Sequence, residues 1–185
     1  MTTLVIAEHD NVSLKGGTLN ALMAAAHISM FVDGQVHLMV IGHDAQSVVG
    51  AAQQIAGVAK VIHVDDRPFA NALAEGVAAQ IGSIAGNYTH ILFASTAGGK
   101  NSAPRVAAAL DVAQISDMSR VISADTFERQ IYASNAVATV QSRDVIKVIT
   151  VRTTSFDASP SSGGSAAIET LPAMVTGRSA TWIGS

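Results

Sequence analysis

Four short, predominantly apolar runs that lack a regular polar alternation constrain this chain most. They are residues 3–7 (TLVIA), 36–41 (VHLMVI), 60–64 (KVIHV) and 91–94 (ILFA). A strand wetted on one side alternates apolar with polar residues; a strand covered on both faces does not. The stretches between the runs have helical spacing. Leu19, Leu22, Met23, Ala26 and Met30 recur as one stripe, and a second helix spans about residues 45–56 and stops at Gly57. Leu73, Val77, Ile81 and Ile84 line a third, ended by Gly86 and Asn87. Strands alternating with helices predict an α/β fold, an open and mostly parallel sheet flanked by helices.

After Asp117 the rhythm changes. Residues 121–122, 130–132, 137–140 and 145–151 are strand-like runs with short polar breaks. They read as an antiparallel extension of the same sheet. The division that follows is a domain over residues 1–157 and a Ser/Gly/Pro-rich linker with a short tail over 158–185. Within it, 156–167 (FDASPSSGGSAA) has linker composition and 168–175 is a small apolar patch.

The segment 89–117 (THILFASTAGGKNSAPRVAAALDVAQISD) is the densest in chemistry. It reads as a buried strand, a glycine-rich turn, a helix and a polar corner, which is how an α/β sheet builds a crevice. Gly98 and Gly99 permit a tight turn or a close approach. Asn101 is a suitable N-cap, and Pro104 is tolerated in a first helical turn. Lys100 and Arg105 add positive charge, which suits an anion or a partner's carboxylate. The turn is neither a Walker loop nor a dinucleotide fingerprint, and by residue pattern alone a plain strand-to-helix connection with a solvated lysine is the favoured reading.

Composition excludes several classes. Aromatics make up 4% and the net charge is −3, so there is neither a stacking platform nor a basic stripe for nucleic acid. The absence of cysteine removes disulfides, thiolate metal sites and cysteine nucleophiles. No secretory signal opens the sequence and no run is long and apolar enough to span a bilayer. No catalytic residue emerges. His9, His27, His37, His43, His63 and His90 show no i, i+4 metal spacing, and each reads as a packed or surface histidine. Asp65-Asp66 reads as a solvated turn, so no metal is expected. Met23, Met30 and Met39 fit core packing. Glu8-His9, Gly42-His43, Asp65 and Ser95-Thr96 fall at carboxyl ends of strands, where a ligand pocket or an empty polar rim would lie.

Several blocks, in order, resemble the N-terminal domain of the electron transfer flavoprotein alpha subunit. They are TLVIAEHD near the start, AGVAKV at 56–61, residues 88–117, IYASNAVATV at 131–140 and VRTTSFDA at 151–158. The resemblance implies a fold of the adenine nucleotide alpha hydrolase-like kind. It implies a heterodimer with a beta subunit that carries AMP, and an electron carrier instead of an enzyme. It also implies FAD held by a C-terminal domain of the alpha subunit. Electrons would pass from acyl-CoA or other flavin dehydrogenases to a quinone oxidoreductase, in a bacterial cytoplasm or a mitochondrial matrix. No flavin-contacting position has a counterpart here, so this chain is expected to bind no FAD itself.

The matching polar spots Gly98, Gly99, Lys100, Asn101, Arg105, Asp117, Arg152, Ser155 and Asp157 are expected to shape the crevice edge or touch the partner. Their alternative role is as loop and strand-end caps. Two other readings stand beside the scaffold: an adenine-nucleotide-binding module without redox role, and a fragment that associates with itself through exposed apolar surface.

Overall fold

The computed structural model describes residues 1–174 and 182–184. Among these, nine strands form a single sheet in the order β7-β6-β5-β8-β4-β1-β2-β3-β9. The parallel centre comprises β1 (Thr2–Ile6), β2 (Gln35–Gly42), β3 (Lys60–Asp65) and β4 (His90–Ala94). The helices α1 (Gly16–Val32), α2 (Gln46–Gln53), α3 (Ala74–Gly82) and α4 (Ala97–Ala109) connect them or follow them. The α/β expectation holds, and the pleat explains the unbroken apolar runs. In β1, Val5 points to the α1 and α2 side, while Leu4 and Ile6 face α3 and α4. Both faces are buried, so each position has to be apolar.

Helix α1 buries Thr18, Ala21, Leu22, Ala24, Ala25 and Ile28. The expected stripe is therefore corrected: Met30 is 73% exposed, although Met39 is fully buried. Alanines let the helix approach the sheet closely, and Met30 falls on the far side. Helix α2 is shorter than expected, and α3 ends at Gly82, with a separate 3-10 turn over Ala85–Asn87.

The start of α4 also differs from expectation. Thr96 is the N-cap, its hydroxyl accepting from the Gly99 amide at 3.3 Å, so Gly98, Gly99, Lys100 and Asn101 are helical and Pro104 lies inside the helix. Only Ser95 and Thr96 separate strand from helix. A connection this short forces the first turn against the strand end. A Cβ at Gly99 would fall 1.9 Å from the Ala94 carbonyl oxygen, which is why glycine stands there.

Beyond β4 the expected extension divides. β5 (Gln114–Val121), β6 (Thr126–Ile131) and β7 (Ala136–Gln141) pair antiparallel as a ribbon. β8 (Lys147–Val151) does not join it. It returns to the centre and lies parallel between β4 and β5, a correction to the antiparallel reading of residues 145–151. Residues 148–151 are the physical reason: Val148, Ile149 and Val151 are apolar, Thr150 is buried with its hydroxyl bonded to the Asp117 amide, and only a doubly covered position buries all four.

The Ser/Gly/Pro-rich stretch lies along the body. Ser159 N donates to Leu19 O at 3.1 Å, Ala56 N to Pro160 O at 3.2 Å, and Gly164 N to Gln54 O at 2.8 Å. It leads into β9 (Ala167–Thr170), which pairs parallel with β3. Gln80 then holds the next residues, donating to Pro172 O and accepting from Met174 N. The last residue of the apolar patch, and most of the tail after it, lie outside the described residues.

Candidate functional site

The chain winds from β1 outward to β2 and β3, then crosses back to place β4 on the other side of β1. Such a reversal leaves a crevice at the carboxyl ends of the two strands. A cleft of about 570 Å³, counted out to its open mouth, lies there. Ile6, Ile41, Val77 and Phe93 form its apolar wall; Glu8, His9, Thr96 and Ser102 supply its polar groups, and Gly98 and Gly99 its floor. Among the described residues, neither lysine nor arginine lines it. Glu8 sits where an anion would go. A Cβ at Gly98 would be 3.6 Å from Glu8 Oε1, and one at Gly17 3.7 Å from Oε2. The carboxylate thus lies beside the first turns of both α1 and α4, whose positive dipole ends favour negative charge. A phosphate entering this cleft would meet that charge.

The nine expected edge residues fall into separate groups. On the β5 side of the cleft, Asp117 accepts a hydrogen bond from Ser95 Oγ and lies 3.6 Å from Lys100 Nζ. Its backbone amide donates to Thr150 Oγ1 at 2.9 Å. Asp117 reaches this position through a bulge: its φ is 53° and the register of β5 on β8 shifts between Ile115 and Met118. Arg152 joins the same edge through its amide, bound to Met118 O at 2.9 Å, and its guanidinium donates to Thr154 and Ser134 hydroxyls. Ser155 closes the following 3-10 turn onto Arg152 O. Arg105 is elsewhere: it bonds Asn101 within α4 and reaches Glu75 on α3 at 3.3 Å. Asp157 is exposed and follows the buried Phe156.

On the β2 and β3 side, Asn11 is a residue that sequence reasoning missed. Its Oδ1 accepts from His43 N at 3.2 Å and its Nδ2 donates to Ala70 O at 2.9 Å, tying the loops after β1, β2 and β3 together. Gly42 is required beneath it, since a Cβ there would fall 2.4 Å from Asn11 Oδ1. Thr18, fully buried, was missed too; it accepts from Glu8 N at 2.9 Å and fixes the strand end. His43 and Asp65 meet 3.4 Å apart, and neither lines the cleft. Burial pushes the Asp65 carboxyl up, but the amides of Asp44 and Ala45 and the imidazoles of His43 and His63 outweigh it, leaving its pKa below the ordinary value.

The sequence profile of the electron transfer flavoprotein domain matches residues 3–175. The chain belongs to the electron transfer flavoprotein domain family. It is 50% identical over 169 residues to an electron transfer flavoprotein subunit alpha of Pseudomonas aeruginosa, covering 91% of this chain and 53% of the relative. It is 41% identical over 184 residues to the corresponding subunit of Paracoccus denitrificans, covering 99% and 58%. A mitochondrial alpha subunit of Dictyostelium discoideum is 42% identical over 174 residues, covering 90% and 48%. The chain thus spans about half the length of the relatives it matches.

The family name implies flavin. The described residues of this cleft do not fit one: the Glu8 carboxylate already faces the amides at the α4 N-terminus, where a dinucleotide diphosphate would have to sit, and no lysine or arginine among them offsets that charge.

Proposed function

We propose that residues 1–157 are a scaffold domain of an electron transfer flavoprotein alpha subunit, with 158–185 leading toward a flavin-bearing part. The carrying observation is the match to alpha subunits over nearly every residue of this chain but only half of theirs. The switch-point cleft, which offers no cation to a diphosphate, supports the same reading. In this reading the whole protein is a heterodimer with a beta subunit that holds AMP. It carries electrons from flavin dehydrogenases to a quinone oxidoreductase and so to the respiratory chain. It works in a bacterial cytoplasm or, in a eukaryote, in the mitochondrial matrix; two relatives are named as mitochondrial. Among the described residues, no helix is long and apolar enough to cross a membrane. The domain performs no bond chemistry; it holds flavin and partner modules at a distance electrons can cross.

The edge built from Ser95, Lys100, Asp117 and Arg152 is the proposed partner contact, with Gly98, Gly99, Asn101, Arg105, Ser155 and Asp157 around it. The visible absorption spectrum of the purified chain, before and after addition of FAD and beta subunit, tests the scaffold reading. A chain that stays colourless supports it; a yellow chain with bound FAD overturns it. Adenine-nucleotide binding is the second reading, favoured by the cleft's place at the switch point. Saturating AMP would raise the melting temperature if that reading is right.

A further inference from the structure

A second polar cluster lies outside the cleft, where β2 and β3 end side by side. One ligating atom each from His43, Asp44 and Asp65 lies within 4.8 Å of the other two. His43 Nδ1 is 3.4 Å from Asp65 Oδ1 without hydrogen-bond alignment, and His43 Nε2 is 3.5 Å from Asp44 Oδ2. His63 makes an independent observation. Its side chain is nine-tenths buried, its Nε2 has no hydrogen-bond partner, and that nitrogen lies 3.6 Å from Asp65 Oδ2. A buried, unpaired imidazole nitrogen is a cost that a fold does not normally leave standing.

A metal ion resolves it. Ligands about 2.0–2.2 Å from a tetrahedral ion stand about 3.3–3.6 Å from one another; one atom each from His43, Asp44 and Asp65 already stands within 4.8 Å of the other two, so small side-chain rotations close the three around one ion, with His63 Nε2 reaching it beside Asp65. Two imidazoles with two carboxylates favour a borderline first-row divalent ion over calcium or magnesium, which take oxygen ligands. The outer contacts needed to orient the ligands are in place: Asp65 accepts from Asp44 N and from Gln46 Nε2, both at 3.0 Å, and Asn11 accepts from His43 N. We infer that His43, Asp44, Asp65 and His63 form a binding site for a borderline divalent cation, with Zn2+ as the reference ion. Sequence reading expected no metal because it tested the histidines for i, i+4 spacing and paired Asp65 only with its neighbour Asp66. Asp66 instead caps the following 3-10 turn, its carboxylate accepting from Arg67 N at 2.8 Å.

The ion would pin the loop after β2 to the end of β3. The test titrates the chelator-treated 185-residue chain with Zn2+ by calorimetry and with Co2+ by visible absorption. One ion per chain, an intense tetrahedral Co2+ band and a higher melting temperature with Zn2+ are expected. Asp65→Asn and His63→Gln should each weaken Zn2+ binding by about tenfold or more, while Asp66→Asn leaves it unchanged. Asp44→Asn provides a variant that keeps the fold, because Asp44 is exposed and asparagine tolerates its φ of 54°; it too should weaken binding. Absence of heat and of a Co2+ band at millimolar metal overturns the site. So does binding that Asp44→Asn and Asp65→Asn leave intact.

Discussion

In β1 every residue from Thr3 to Ile6 is buried, whereas in β7 none is. The two strands belong to one sheet and are held by opposite means. β1 lies between two helical layers, and its side chains supply both cores. β7 is an edge strand at the tip of a ribbon, held by its backbone pairing with β6 and by Phe127, a fully buried anchor. The centre of this sheet owes its stability to side chains, and the ribbon owes its own chiefly to hydrogen bonds and one ring. A surface held this way is free to vary its outward residues, as suits a contact region.

Four substitutions would break or sharpen this contrast. Phe127→Ala should cost about 3–5 kcal/mol in urea unfolding, while Val137→Ala on the same ribbon should stay within about 0.5 kcal/mol. Equal costs would show that the ribbon has a core of its own. Gly99→Ala should cost about 1–3 kcal/mol, because its methyl has no room against Ala94 O. Gly98→Ala, whose Cβ meets ordinary contact distances, should leave the melting temperature nearly unchanged.

His90 joins the two regions, its Nε2 meeting Ala124 O at 2.7 Å and its ring packing edge-on to Phe127. Burial lowers its pKa from the ordinary 6.5, against the opposing pull of that carbonyl. Above pH 6.5 both folded and unfolded states are neutral. Below it the unfolded chain takes up the proton first, so stability falls as pH drops. His9 and His37 are lowered by burial in the same way. Unfolding midpoints at pH 7.5 and 5.5 should therefore differ, and His90→Gln should shrink the difference. Arg105→Ala belongs with Val137→Ala and Gly98→Ala among the smallest effects: its pair with Glu75 is exposed and its loss should stay within about 0.5 kcal/mol.

The central strands were legible because burial on two faces leaves an unmistakable composition. β8 carried the same signal at 148–151, but neighbouring polar breaks grouped it with the ribbon. The start of α4 was misread because Asn101 and Pro104 look like an N-terminus by residue type; Thr96 wins because only one residue, Ser95, separates it from β4. The rim residues Glu8, His9 and Thr96 were anticipated from their places at strand ends. The meeting of His43, Asp44, Asp65 and His63 was not, since it depends on two strands lying side by side, and no spacing along the chain records that. β9 left no trace either: its residues are exposed, and pairing with β3 alone makes them a strand.

That last strand has a consequence for how the protein is made. Lys60 pairs with Ala167, so the outer edge of β3 stays uncovered until residues near 170 have left the ribosome. During that interval β3, with Val61, Ile62 and Val64 still to be buried, presents unpaired amides and carbonyls that can template another chain. Translation speed and chaperone cover between residues 65 and 170 therefore bear on yield as directly as any residue in the core.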